Sequence, residues 1–216
     1  MNEAFLVFGQ RGSGSVIIEA ALTLLGLPFA VEEAPPHAQW PTSPLAKANP
    51  MQQLPALRLP SGEIMTESAA ILIWLADAYP DARMAPGLSD PRRAAFLRWM
   101  AFVSASIYAL YWARDEPSRL VSDIAQQALL KDRIEQRIGH CWTVMERQLV
   151  PGRYLLGDEL GVLDLYVTVI SRWEPMRKAF YALAPRLGDV VRRVDAEPRL
   201  KALWEARYPF ESGWEG

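Results

Sequence analysis

The stretch 53–79, QLPALRLPSGEIMTESAAILIWLADAY, constrains the fold more than any other part of the chain. Leu54-Pro55 precedes a short strand signal, Ala56-Leu57-Arg58-Leu59. Pro60-Ser61-Gly62 reads as a turn, because proline presets φ and glycine accepts positive φ. Glu63-Ile64-Met65-Thr66 reads as a second strand, so the pair predicts a hairpin. Glu67-Ser68 then opens a helix whose apolar positions Ile71, Leu72, Leu75, Ala76 and Tyr79 share one face. Pro80 stops it. Pro55 admits two readings from its neighbours alone. It is a trans proline at a strand edge, or a cis X-Pro bond that turns the chain sharply and presents the main-chain polar groups before it.

The segments before this stretch alternate. Residues 4–8 form a short apolar run, a candidate buried strand. Residues 9–14 are a glycine-rich loop, and Ser15 is placed to cap a helix over 16–25, with Glu19 near its positive end. Gly26-Leu27-Pro28 stops that helix, and residues 29–32 read as a second strand, completing a right-handed βαβ unit. Residues 35–49 are proline-rich, a loop with one helical turn. After residues 81–89, a charged linker with Pro86-Gly87, strand signals vanish. Asp90 caps and Pro91 opens a long helix to about Trp112. Another helix spans 116–149, a centrally buried one 163–176, and two more cover 187–196 and 198–206. A β-containing half followed by an all-helical half predicts an α+β chain with two domains, 1–80 and 90–216, joined by 81–89.

Composition narrows the function classes. Half of the 216 residues are hydrophobic and the net charge is −2, with both signs interspersed. Neither a nucleic-acid footprint nor a membrane-surface patch follows. The longest apolar run, 101–113, is short for a bilayer span and is interrupted by Ser104 and Ser106. A single cysteine, Cys141, excludes an internal disulfide framework and fits a reducing compartment. With no signal-peptide pattern at the N-terminus, a soluble cytoplasmic protein is expected. Cys141 lies on an apolar helix as a buried, inert thiol. His37 and His140 lack ligand spacing, so no metal is implied.

The hairpin with its proline and the Glu67-Ser68 helix start resemble the second half of the thioredoxin-like domain of glutathione transferases. Leu155-Leu156-Gly157-Asp158 followed by Leu163-Asp164 resembles that family's second signature, a capping box on a buried helix. Gly161 stands where the family has serine or threonine, so Asp164 is left to accept from the Gly161 N–H. Together the matches run in order over almost the whole chain. The resemblance implies a thioredoxin-like βαβ-α-ββα domain, then an all-α helical bundle, and a homodimer packed through the long helix from Pro91.

It also implies a chemistry. In this family Pro55 would be cis, and the backbone of Leu54 would pair with the cysteinyl part of glutathione. Glu67 and Ser68 would hold the γ-glutamyl end, and Gln53 would reach the glycyl carboxylate. Helix N-termini and charge-assisted bonds suit those groups. The sulfur must act as a thiolate, and a free thiol with pKa ~8.5 is mostly protonated at neutral pH. One hydroxyl hydrogen bond to a charged acceptor is worth roughly 1.5–3 kcal/mol, enough to shift that balance. The loop Phe8-Gly9-Gln10-Arg11-Gly12-Ser13-Gly14-Ser15 holds no tyrosine, and Gly14 replaces the cysteine of bacterial beta-class members. The catalytic candidates are therefore Ser13, in line with the serine of phi-like members, and Ser15; the other reading is that both only cap the first helix. Tyr108, Tyr111 and Trp112 are candidates for the pocket of a small apolar electrophile, or for ordinary core. The expected activity is conjugation of glutathione to such electrophiles. A related glutathione-dependent isomerase or reductase, and a non-catalytic interaction module on the same fold, are the alternatives.

Overall fold

The computed structural model describes residues 4–35 and 37–215. They form two compact units. The first runs up to Gly87 and takes back Asp195–Glu211; the second is Leu88–Val194 with the tail from Ser212.

In the first unit β1 (Phe5–Gly9) leads to α1 (Ser15–Leu24) and β2 (Phe29–Glu33), which lies parallel to β1. A 3-10 turn, His37–Thr42, and the short α2 (Pro44–Ala48) follow. The hairpin is present as β3 (Ala56–Arg58) and β4 (Ile64–Met65), and α3 (Ser68–Ala78) follows it. The sheet order is β2-β1-β3-β4, with β3 antiparallel to both neighbours. This is the expected thioredoxin-like arrangement. Val16, Ile17, Ile18, Leu22, Ile71, Leu72 and Leu75 are fully buried with Val7 and Leu57, the core of α1, α3 and the central strands, while Phe8 and Ala56 cluster with Leu45 and Ala48.

Gly9 and Gly12 are fixed by packing and backbone. A Cβ on Gly9 would sit 2.4 Å from Ser15 Oγ, and Gly12 has φ +70°. Two expectations change here. Ser15 does not cap α1, for it is the first residue inside the helix and Gly14 precedes it without a side-chain cap. Glu19, expected near the positive end of the helix, stands beyond its first turn and is wholly buried.

The second unit is all helical. The helix expected from Pro91 starts at Arg93, after an Asp90 carboxylate that accepts from the Arg92 N–H (2.8 Å). It runs as α4 (Arg93–Val103), a π-helical turn Ser104–Tyr108, and α5 (Ala109–Asp115). Its buried positions are Phe96, Trp99, Met100, Val103, Ile107, Tyr111 and Ala113. The four-residue steps from Val103 to Ile107 to Tyr111 match the wider turn. The continuous stretch Arg93–Asp115 is longer than its apolar run predicts and, by length and composition, long enough to cross a bilayer. Its buried face belongs to the core of this unit, where α4 packs on α7 (Val162–Ile170) and α5 on α6.

α6 is Ile124–Gln148; it starts later than residue 116 because Pro117–Arg119 forms a separate 3-10 turn and Asp123 supplies the cap, accepting from the Gln126 N–H (2.9 Å). α7 is buried at every position and ends at Ile170, not 176. α8 (Met176–Leu183) was not expected; it follows the cis Glu174–Pro175 peptide. α9 (Pro185–Asp195), the 3-10 turn Pro198–Leu200 and α10 (Lys201–Arg207) complete the chain.

The start of α7 is held as the sequence implies. Asp164 Oδ2 accepts from the Gly161 N–H and Oδ1 from the Leu155 N–H, each at 2.8 Å. Glycine returns no side-chain bond, so the box is closed from one side only.

Candidate active site

Strand register brings the sequence-predicted segments of the first unit to one end of its sheet. Phe8 pairs with Ala56 and Leu57 with Met65. The end of β1, the start of β3 and the end of β4 therefore share an edge. The Ser13–Ser15 loop leaves that edge, the Gln53-Leu54-Pro55 segment enters it, and Glu67-Ser68 opens α3 beside it. Two helix N-termini, of α1 and α3, face the same end, a setting that favours anionic groups.

The Leu54–Pro55 peptide is cis, as the resemblance implies. The loop before it is pinned by Asn49, a residue the sequence reading passed over. Asn49 is 5 % exposed. Its Oδ1 accepts from the Met51 N–H (3.0 Å) and its Nδ2 donates to the Gln53 carbonyl (2.9 Å). The Asn-Pro pair at 49–50 is the signal that points to it, since Asn bonds its own backbone two residues on. Gln53 and Leu54 are half-buried, and Pro55 is buried.

Glu67 is exposed and carries φ +65°, ψ +99°, a backbone conformation that L side chains rarely adopt. Such strain persists only where the surroundings hold it, and it concentrates at ligand sites. Ser68 is buried at the first position of α3.

The Ser13 loop separates its two serines. Ser13 is half-buried; its hydroxyl donates to the Gln10 carbonyl (2.7 Å), and its Oγ accepts from the Ser15 N–H (3.2 Å). Ser15 is completely buried, and its Oγ lies 3.0 Å from Ser13 Oγ. The Ser15 hydroxyl donates to Glu19 Oε1 (2.9 Å) and its oxygen accepts from the Gln10 N–H (3.1 Å). Glu19 is bound in turn by Arg207, with Nε to Oε2 at 2.6 Å and Nη2 to Oε1 at 3.2 Å. Arg207 also donates to Glu33, and its carbonyl accepts from the Gly12 N–H (2.9 Å). Burial alone would lower the Arg207 pKa, but the bonds to Glu19 and Glu33 raise it above its ordinary value. A lone acid inside VIIEAALTLL is the sequence signal for a buried partner, but nothing local identifies residue 207 as that partner.

The aromatic candidates of the second unit divide. Tyr108 and Tyr111 both pack on Trp173, each at 5.0 Å between ring centroids. Tyr111 is buried and its hydroxyl donates to the Glu174 carbonyl (3.0 Å), whereas Tyr108 and Trp173 keep partly exposed rings. Trp112 is 44 % exposed and lies under the Arg119 guanidinium. Trp173 is a further aromatic that the sequence reading did not single out. Cys141 is buried; its thiol donates to the Ser106 carbonyl in the π turn (3.3 Å), and burial pushes its pKa up. It is an inert thiol. Among the described residues no cluster of His, Cys, Asp or Glu is arranged to hold a metal ion.

Comparison with known proteins adds to this geometry. Residues 15–78 match the family model described as the glutathione S-transferase N-terminal domain. An uncharacterized GST-like protein of Escherichia coli K12, YncG, is 31 % identical over 200 residues, covering 91 % of this chain and 95 % of that one. A maleylacetoacetate isomerase of Pseudomonas aeruginosa is 27 % identical over 212 residues, covering 92 % and 94 %. Among solved structures, a glutathione transferase homologue from Sulfitobacter with bound glutathione superposes with TM-score 0.83 over 95 % of this chain and 99 % of that one, at 21 % identity.

Proposed function

Because the chain belongs to the glutathione S-transferase family, we propose that it binds glutathione at the shared sheet edge and transfers its thiolate to small hydrophobic electrophiles. The observation that carries this reading is the register that gathers the Ser13 loop, the Gln53-Leu54-Pro55 turn and the strained Glu67 at that edge. Ser13 is the donor to the sulfur, because its hydroxyl is partly accessible while that of Ser15 is buried and committed to Glu19. A thiolate is a stronger acceptor than the Gln10 carbonyl, so the Ser13 proton turns toward it when the ligand is bound. Gln53 and Leu54 meet the glycyl and cysteinyl parts, and Glu67 with Ser68 meets the γ-glutamyl end. Tyr108, Tyr111 and Trp112 were the pocket candidates. The partly exposed pair Tyr108 and Trp173 is the better surface for an apolar electrophile. A cytoplasmic homodimer, packed through the helical stretch from Arg93, belongs to the same proposal.

Glutathione-dependent isomerisation is the second reading. The relative of 27 % identity named as a maleylacetoacetate isomerase favours it, and it uses the same thiolate. Retention on immobilised glutathione, followed by parallel assays with an aryl halide and a cis-dicarboxylic enone, separates the readings. No retention and no glutathione-dependent rise in Tm would leave a non-catalytic module.

Two variants test the residues. Ser13→Ala is expected to lower kcat about 30-fold, the loss of one hydrogen bond to a charged group at ~2 kcal/mol, with glutathione affinity within twofold. Unchanged turnover removes Ser13 from the mechanism. Glu67→Gln is expected to weaken glutathione binding about tenfold by calorimetry, since the bond to the ligand ammonium loses its charge; equal affinities would place the amino group elsewhere.

A further inference from the structure

The catalytic loop is tied to residues far from it in sequence, and the ties run in one line. Arg207, at the end of α10, grips the buried Glu19 on α1. Glu19 accepts the Ser15 proton, and Ser15 Oγ stands 3.0 Å from Ser13 Oγ. We propose that Arg207, Glu19 and Ser15 form a positioning array that sets where the Ser13 hydroxyl stands, and so how far bound glutathione is ionised. This rests on the assignment of Ser13 to the sulfur.

Proton bookkeeping supports the array. Ser15 has one proton and four neighbours within reach: Glu19 Oε1, the Gln10 carbonyl, the Gln10 N–H and Ser13 Oγ. The carboxylate is the strongest acceptor of these, so it takes the proton. The Ser15 oxygen is thereby left as an acceptor for the Gln10 N–H, which fixes the start of the loop. Its own N–H is donated to Ser13 Oγ. Ser13 is thus held by the Ser15 N–H at its oxygen and by the Gln10 carbonyl at its proton, and Ser15 in turn anchors Gln10 through the Gln10 N–H; a bound thiolate draws the Ser13 proton from that carbonyl.

The packing leaves no slack. The Ser15 hydroxymethyl occupies the space a side chain on Gly9 would need. Gly12, at φ +70°, donates its N–H to the Arg207 carbonyl, and a Cβ there would meet the Tyr208 ring at 3.7 Å. The loop is therefore clamped at Gly12 from the α10 side and at Ser15 from the α1 side. The charged groups in the array are Glu19 on α1, Glu33 at the end of β2 and Arg207 on α10; Arg11 is exposed on the loop.

The test is Ser15→Ala in the full chain. This variant removes one hydroxyl and leaves the Glu19–Arg207 pair intact, so the fold is retained. The ionised fraction of bound glutathione is read from thiolate absorbance across pH, alongside kcat, KM and the dissociation constant for glutathione. The expected result is a bound-thiol pKa about one unit higher, kcat down about tenfold, and glutathione affinity within twofold of wild type. Glu19→Gln is the second variant and shifts the thiol pKa the same way. A purely structural role would change Tm and leave the bound-thiol pKa alone. If wild type ionises glutathione and both variants match it, the array is overturned while the function stands. If wild type binds glutathione without ionising it, the transferase reading falls and the array with it.

Discussion

Arg207→Met is expected to destabilise the protein by about 4 kcal/mol, because breaking a buried ion pair from one side strands the other charge. Glu19 is wholly buried, and the Arg207 side chain is 13 % exposed. Methionine retains much of the packing of the arginine stem, so the loss measured is that of the guanidinium. Part of the cost is the desolvated carboxylate, which has no route to water. The same logic predicts partial recovery: Glu19→Gln combined with Arg207→Met regains at least half of the loss, since a neutral amide is far cheaper to bury. Urea denaturation at pH 7 measures wild type, the two single variants and the double variant. A loss under 1 kcal/mol in the single variant, or strict additivity in the double one, would show that the pair holds nothing together. Added salt is expected to change the loss little, because the pair is shielded from mobile ions.

Asp164→Ala is expected to cost about 3 kcal/mol by the same measurement. Both carboxylate oxygens accept backbone N–H groups, and Leu155 is 1 % exposed. Removing the acceptor leaves a buried donor unsatisfied, worth roughly 1–3 kcal/mol, and loses the helix cap, worth ~1 kcal/mol. Gly161 has no side chain to compensate. The loss has a pH signature. Burial pushes the Asp164 carboxyl up to about 7, against the Leu155 and Gly161 N–H groups, which favour its charge. A carboxyl whose pKa is raised on folding binds more protons folded than unfolded between its two pKa values. Its contribution is therefore fully present below about 4 and is lost as the pH rises through 7. The margin of wild type over Asp164→Ala should be wider at pH 5 than at pH 8. A margin that grows with pH would mean that the two N–H donors outweigh burial.

The sequence announces features whose cause is local. The hairpin and the helix start at Glu67-Ser68 are each written in a few adjacent residues, and each is present; at Pro55 the neighbours leave both isomers open, and the cis bond follows only from the family resemblance. Asp164 likewise reads across three residues to Gly161. Features that depend on distant partners are not readable this way. Glu19 looked like a residue complementing a helix end, because its partner Arg207 lies 188 positions away. Ser15 looked like a cap, because nothing nearby shows that Gly9 leaves room for it to be drawn inward. The sequence offers Tyr108, Tyr111 and Trp112 as pocket or core without dividing them. The π turn Ser104–Tyr108 contains Tyr108 and sets Tyr111 inward four residues after Ile107, leaving Trp112 outside. Trp173 was invisible for the same reason as Arg207: it reaches the cluster only through the tertiary fold.

The return of Asp195–Glu211 to the first unit bears on how the protein is made. A ribosome delivers Glu19 long before Arg207, so the nascent thioredoxin-like half carries a carboxylate whose counter-ion has not yet been translated. N-terminal modules commonly mature first during synthesis; here the opening half is finished only when the closing helix is in hand. Any fragment cut at the linker is thereby a chain with a buried carboxylate and no counter-ion, not a self-sufficient domain.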